Sequence, residues 1–143
     1  MSFDLKIFNG DLVLENADLA LVTGQQKLVQ DILKIALTPA GGSPLQPWYG
    51  SLINRTLVGS YLSQNVTVDT AQNQLQTAME NLQNLQKLQV ASGQPVSPAE
   101  QIAFIKSIKI TRNTIDPRIY QVSILVLSRA FGQVTAAFTA DNL

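Results

Sequence analysis

The sequence contains neither cysteine nor histidine. Those two absences exclude disulfides, thiol nucleophiles, Cys/His zinc sites, Ser-His-Asp triads and any histidine general base. Charge is scarce too. Asp, Glu, Lys and Arg make up 14% of the 143 residues, against about 25% in an average protein. Ten basic and ten acidic side chains cancel. With no basic excess to neutralise phosphates, nucleic-acid binding is disfavoured as the main task. The longest charge-free stretch, Ile35 to Asn54, holds three prolines and three glycines, so it is no membrane helix. The N-terminus, Met-Ser-Phe-Asp-Leu-Lys, lacks the basic and apolar regions of a signal peptide. A soluble protein made in a cytoplasm is expected, and the missing cysteines fit a reducing compartment.

Apolar residues make up 45% of the chain, enough for a packed core, and the length fits one domain over residues 1–143. Where charge is missing, uncharged polar side chains stand instead, including fifteen glutamines. Freely soluble monomers usually hold more charge to resist association. Much of this surface is therefore expected to lie against other proteins.

The fold class expected is α+β: N-terminal β-hairpins, two main helices and a C-terminal antiparallel sheet. Leu5 and Ile7 alternate with polar neighbours, and Asn9-Gly10 is a strong hairpin signal. Asp11 to Leu14 reads as the return strand, Asn16-Ala17-Asp18 as a second turn, and Leu19 to Val22 as a third strand. Thr23 and Gln26 form a capping-box pattern for a helix whose apolar face is Leu28, Val29, Ile32, Ile35 and Ala36. Thr38 to Gly59 is a Pro/Gly-rich loop carrying Trp48-Tyr49-Gly50, long enough to expect a functional role. A second helix is expected from about Asp69 to Val90, capped by Asp69 and Gln72. Its stripe is Ala71, Leu75, Ala78, Met79, Leu82, Leu85 and Leu88. Ser97-Pro98-Ala99-Glu100 opens a short helix ending near Phe104 or Ile105. Strands follow: one through Ile108 and Ile110, a central one over Arg118 to Ser128, and a last one over Gln133 to Ala140.

The inventory for chemistry is thin. The glutamates are Glu15, Glu80 and Glu100, placed on a hairpin, a helix surface and a cap. No phosphate loop, dinucleotide fingerprint or EF-hand occurs. Catalytic residues, metal ligands and cofactors are all expected to be absent. Two features stand above this background. Asp116-Pro117-Arg118 forms a stiff charged corner before the central strand, because proline fixes its own φ and biases Asp116 toward extended backbone. The final strand, Gln133-Val134-Thr135-Ala136-Ala137-Phe138-Thr139-Ala140, carries no charge. Edge strands are normally protected by Lys, Pro or a bulge, so an unguarded one invites strand addition.

The order of motifs resembles the sheath initiator family of contractile phage tails. These are baseplate wedge proteins with a type VI secretion counterpart, once labelled lysozyme-like. Asn9-Gly10-Asp11-Leu12 to Leu21-Val22-Thr23-Gly24 resembles the family's opening. Gln30-Asp31-Ile32, Leu37-Thr38 and Pro47-Trp48-Tyr49-Gly50-Ser51 resemble its helix and following loop. Asp116-Pro117-Arg118 resembles its Glu-Pro-Arg motif, with Asp in place of Glu. The resemblance implies a virion protein of the tail baseplate, assembled in the host cytoplasm. Asp116, Pro117 and Arg118 would contact the wedge scaffold, and the Gln133 to Ala140 strand would pair with the sheath protein and start its polymerisation. Trp48 and Tyr49 are further candidate partner contacts; nucleic acid and membrane are not expected as partners. The alternatives are a peptidoglycan hydrolase of the tail and an adaptor contacting tube or hub proteins.

Overall fold

A computed structural model describes residues 3–8, 11–53, 64–116 and 119–141. It is an α+β protein with N-terminal strand hairpins, two helices and a three-stranded antiparallel sheet.

The N-terminal strands are built on a seven-residue repeat. Asp-Leu recurs at Asp4-Leu5, Asp11-Leu12 and Asp18-Leu19. Each copy contributes two short strands: β1 (Asp4–Leu5) and β2 (Ile7–Phe8), β3 (Asp11–Leu12) and β4 (Leu14–Glu15), β5 (Asp18–Leu19) and β6 (Leu21–Val22). The pairing is β2 with β3, β4 with β5, and β1 with β6, all antiparallel. The expected three strands therefore do not run side by side. Each bends at its middle residue, Lys6, Val13 or Ala20, and changes partner there. The three middle residues close a ring of backbone hydrogen bonds: Lys6 N–H donates to Ala20 O (2.8 Å), Ala20 N–H to Val13 O (2.8 Å), and Val13 N–H to Lys6 O (3.1 Å). The element is a three-armed knot with pseudo-threefold symmetry. Asn16 and Ala17 both adopt positive φ (51° and 67°), as a tight hairpin turn with the right twist requires. The Asn9-Gly10 turn lies outside the described residues.

Helix α1 (Gly24–Leu37) buries Leu28, Ile32, Ile35 and Ala36, the spacing of one helical face. Thr23 occupies the capping position, but its side chain makes no capping bond. Gly24 N–H is instead taken by Glu100 Oε1 at 3.3 Å, across 76 residues of chain. The helix ends where Thr38 turns to extended backbone before Pro39. The loop that follows is folded back on itself. Pro39 and Ser51 form a parallel bridge, and Ser51 Oγ donates to Ala36 O.

Helix α2 (Gln64–Ala91) starts five residues before the expected Asp69, so Asp69 and Gln72 lie inside it and cap nothing. Ala71, Leu75, Ala78, Met79 and Leu82 are buried as expected. The stripe then continues at Gln86 rather than at Leu88, which is 66% exposed. Pro98–Glu100 forms only a 3-10 turn, although its capping box is present. The expected short helix to Phe104 or Ile105 does not form. Ile102 N–H is bonded to Gln86 Oε1 (2.8 Å), and Gln101 is already extended. Strand β7 (Ile102–Arg112) begins at once, with two register shifts between Ile102 and Ser107.

The C-terminal sheet has the order β7-β8-β9, with β8 (Ile119–Ser128) central and β9 (Gln133–Asp141) at one edge. Tyr120, Val122, Ile124 and Val126 of β8, with Val134, Ala136 and Ala140 of β9, face the core. Helix α1 packs on β9 and α2 packs on β7, so the two helices cover one face of the sheet.

Candidate functional site

The two edges of the sheet are treated differently. On the β7 side, glutamines of α2 reach the strand's outward carbonyls. Gln72 Nε2 donates to Ile108 O (3.3 Å), and Gln83 Nε2 to Ile102 O and Ala103 O (3.3 and 3.2 Å). Gln86 Nε2 donates to Glu100 O at 2.8 Å, just before the strand. These amides cover three of the strand's carbonyls. On the β9 side, among the described residues, no further strand pairs with it and no side chain donates to it. Val134, Ala136 and Ala140 anchor β9 from within, while Thr135, Ala137 and Thr139 are exposed. Nine residues of backbone are thus held in register and left open along one side. The outer face of the sheet forms a shallow depression of about 480 Å³, whose lining includes Thr111, Ser123, Ala137 and Thr139. Lys109, Gln121 and Phe138 line it as well.

Of the charged corner, Asp116 lies before β8, at the end of the sheet where β9 finishes. Asp116 O accepts Ile119 N–H (3.1 Å), and Ile119 is paired with Asp141, the last residue of β9. Asn113 Oδ1 accepts Ile115 N–H (2.8 Å) and Asp116 N–H (3.5 Å), an Asx-type turn. Pro117 and Arg118 lie outside the described residues. Asp116 and the end of β9 therefore share one end of the sheet. Trp48 and Tyr49 lie elsewhere, beside α1 and α2. Their rings meet edge to face (6.1 Å, 70°), and Trp48 O accepts Asn81 Nδ2–H at 3.5 Å.

A second concave region, about 310 Å³, lies between the N-terminal strands, α1 and α2, and its charges cancel in pairs. Lys34 Nζ contacts Asp4 Oδ2 (2.6 Å) and Asp31 Oδ1 (3.9 Å), and Lys27 Nζ contacts Asp31 Oδ2 (2.7 Å). Burial pushes the Asp4 carboxyl up, but hydrogen bonds from Lys34 and Gln30 outweigh it and hold the group below the usual carboxylate range. Burial pushes Lys34 down, and the Asp4 and Asp31 charges more than reverse this. Burial raises the Tyr49 phenol. Among the described residues no group of three or more His, Cys, Asp or Glu side chains could hold a metal ion.

Reading the sequence missed the seven-residue repeat, which a search for self-similarity finds directly. It also missed the glutamines used as backbone partners. Gln30, on α1, accepts Ile7 N–H (3.0 Å) and donates to Leu5 O (2.7 Å) and Asp4 Oδ2 (3.0 Å), pinning the knot to the helix.

No family model matches the chain, and no curated protein does. Among solved structures, a protein from Geobacter sulfurreducens described provisionally as a tail lysozyme superposes with a TM-score of 0.62. The match covers 93% of this chain and 97% of that one at 13% identity. The chain shares the fold of that tail protein.

Proposed function

We propose that this chain is a non-catalytic component of a contractile phage tail, fixed to the baseplate, whose β9 edge templates the first strands of the sheath. The observation that carries this reading is the inequality of the two sheet edges. Strand β7 has three carbonyls covered by glutamine amides of α2, and β9 is anchored from within and takes no such bond among the described residues, without a charge between Ala130 and Ala140. An unprotected edge is a hazard for a protein that works alone and an asset for one that adds strands. The order of sequence motifs, which resembles the sheath initiator family, and the fold shared with a tail protein support the same setting. The Asp116-Pro117-Arg118 corner, whose Asp116 lies near the end of β9, would dock on the wedge scaffold, so anchoring and templating would use neighbouring parts of the molecule.

A non-catalytic role is supported by how four of the ten carboxylates are engaged. Asp4 is held ionised by Lys34, Asp31 lies between two lysines, and Glu15 pairs with Lys6 at 3.7 Å. Glu100 accepts Gly24 N–H and Ser97 N–H. A glycosidase needs one carboxyl kept protonated as general acid; Glu100 is buried, but it accepts two backbone N–H groups, which favour the ionised form.

The test is sheath capture by purified protein carrying Thr135→Lys and Thr139→Lys. Both positions are exposed, so melting should stay within a few degrees of the parent while capture falls at least tenfold. Ser107→Lys, on β7, should leave capture intact. Unchanged capture by the β9 variant would remove the strand-addition role, and clearing of peptidoglycan by the parent chain would favour a hydrolase.

A further inference from the structure

The cavity of about 310 Å³ between the N-terminal strands, α1 and α2 has no part in strand addition, and none of its lining residues belongs to the C-terminal sheet. On α1, Lys27, Asp31 and Lys34 stand four and three residues apart, so their heads share one helical face. On α2, Leu82, Leu85 and Gln89 share a face by the same spacing. The loop after α1 adds Tyr49, and backbone bonds fix its placement. Ser51 N–H donates to Thr38 O (2.9 Å), Ala40 N–H to Ser51 O (3.1 Å), and Tyr49 N–H to Gln46 O (3.0 Å). Gly50 passes so close to Thr38 O and Ala40 N that no Cβ would fit there. The walls are thus built in advance, and binding would order little that is not already held.

The polar groups of the cavity form two sets. The ions are matched, Lys27 with Asp31 and Lys34 with Asp4. The Tyr49 hydroxyl and the Gln89 and Gln94 amides line the cavity and make no hydrogen bond to another described residue. Tyr49 is half-buried, and burial raises its phenol, so at neutral pH it can both donate and accept. Lys34 Nζ and Asp31 Oδ1 stand 3.9 Å apart, about 1 Å too far for a hydrogen bond. A hydroxyl oxygen between them would accept from the ammonium and donate to the carboxylate. An anion would meet two carboxylates here and a cation two ammonium groups, so the balance of charge disfavours both. A wholly apolar occupant would strip water from two ion pairs and three unbonded polar groups. What fits is an uncharged molecule with several hydroxyls on an apolar frame, whose carbon face can rest on Leu82, Leu85 and the Tyr49 ring. The volume lies at the lower limit of ligand pockets, about 300–1,000 Å³, which sets the size at a single sugar ring.

We propose that this cavity is a binding site for one pyranose unit, free or at the end of a glycan. Its carboxylates, Asp4 and Asp31, each pair with a lysine, so the site offers the sugar hydrogen bonds and not a proton. Binding here is independent of the β9 edge and would leave strand addition untouched.

The test uses the full chain, isotope-labelled, titrated with glucose, galactose, mannose and N-acetylglucosamine, and with the methyl glycoside of each. At least one should bind with a Kd in the millimolar range and shift the amides of residues 27–34, 49 and 85–94. Equal binding of its methyl glycoside would identify the end of a glycan as the source, and loss on methylation a free sugar. Affinity should change less than about twofold between about 0.05 and 0.5 M salt, because an uncharged ligand is not screened. Tyr49→Phe keeps the ring and removes the hydroxyl, and Gln89→Ala removes an amide with no partner. Each should weaken binding at least threefold at unchanged melting temperature, and the two together at least tenfold. Absence of shifts with every sugar at about 50 mM, tighter binding of inorganic phosphate or free arginine than of any sugar, or binding that both substitutions leave unaltered would each overturn the proposal.

Discussion

Gln86 occupies a position where the α2 stripe calls for an apolar residue, and its amide substitutes for backbone. It donates to Glu100 O and accepts from Ile102 N–H, both at 2.8 Å, and it is 4% exposed. Replacing it with leucine would leave two buried backbone groups unpaired. Each costs about 1–3 kcal/mol, so Gln86→Leu should lower stability by roughly 2–5 kcal/mol, seen as a reduced urea midpoint at unchanged m-value. Nothing in the sequence distinguishes Gln86 from the other glutamines, because its use depends on where β7 begins in space. The Asp4–Lys34 pair gives a pH signature. Asp4 is held below its ordinary range, so its contribution is complete above about pH 4 and is lost as the pH falls through the folded value. Lys34 is raised, so its share is present below about pH 10 and lost above. Asp4→Asn should flatten the acid limb of a stability profile. The loss at neutral pH should stay at or below about 1 kcal/mol, because the Lys34 side chain is 41% exposed.

Among the elements, α1, the buried half of α2 and the central strand were legible because their apolar spacing answers to a single buried face. The N-terminal strands were legible as strands but not as a knot, since local alternation does not say which partner a strand takes after a bend. The short helix expected after Pro98 failed for a related reason. A capping box specifies a start, but the groups a second turn would need are claimed by Gln86. The Trp48-Tyr49-Gly50 loop shows backbone setting the sequence. Gly50 has φ +114°, and a Cβ there would lie 2.5 Å from Thr38 O and 2.9 Å from Ala40 N. Neither is a flexible side-chain end that could yield. Gly50→Ala should therefore cost more than about 2 kcal/mol and shift the fluorescence of Trp48, the single tryptophan.

At the scale of the whole molecule, low charge first served to exclude chemistries. The structure divides that charge-poor surface into parts with different uses. The glutamines of α2 are partly turned inward to cover carbonyls of β7, so they are not all surface awaiting a partner. The β9 edge remains open and charge-free. The Gln133 to Ala140 strand was legible in position and length, and its lack of charge pointed to an unguarded edge. That α2 glutamines cover carbonyls of β7 could not be read, because it depends on helix and strand meeting across 36 residues of chain between Gln72 and Ile108. The most direct measurement is hydrogen exchange at the amides of β9, with and without the purified sheath protein of the same tail. The outward-facing amides between Val134 and Ala140 should slow at least tenfold on mixing, while those of β7 stay unchanged. Binding that leaves the β9 amides exchanging at their free rate would contradict strand addition at this edge.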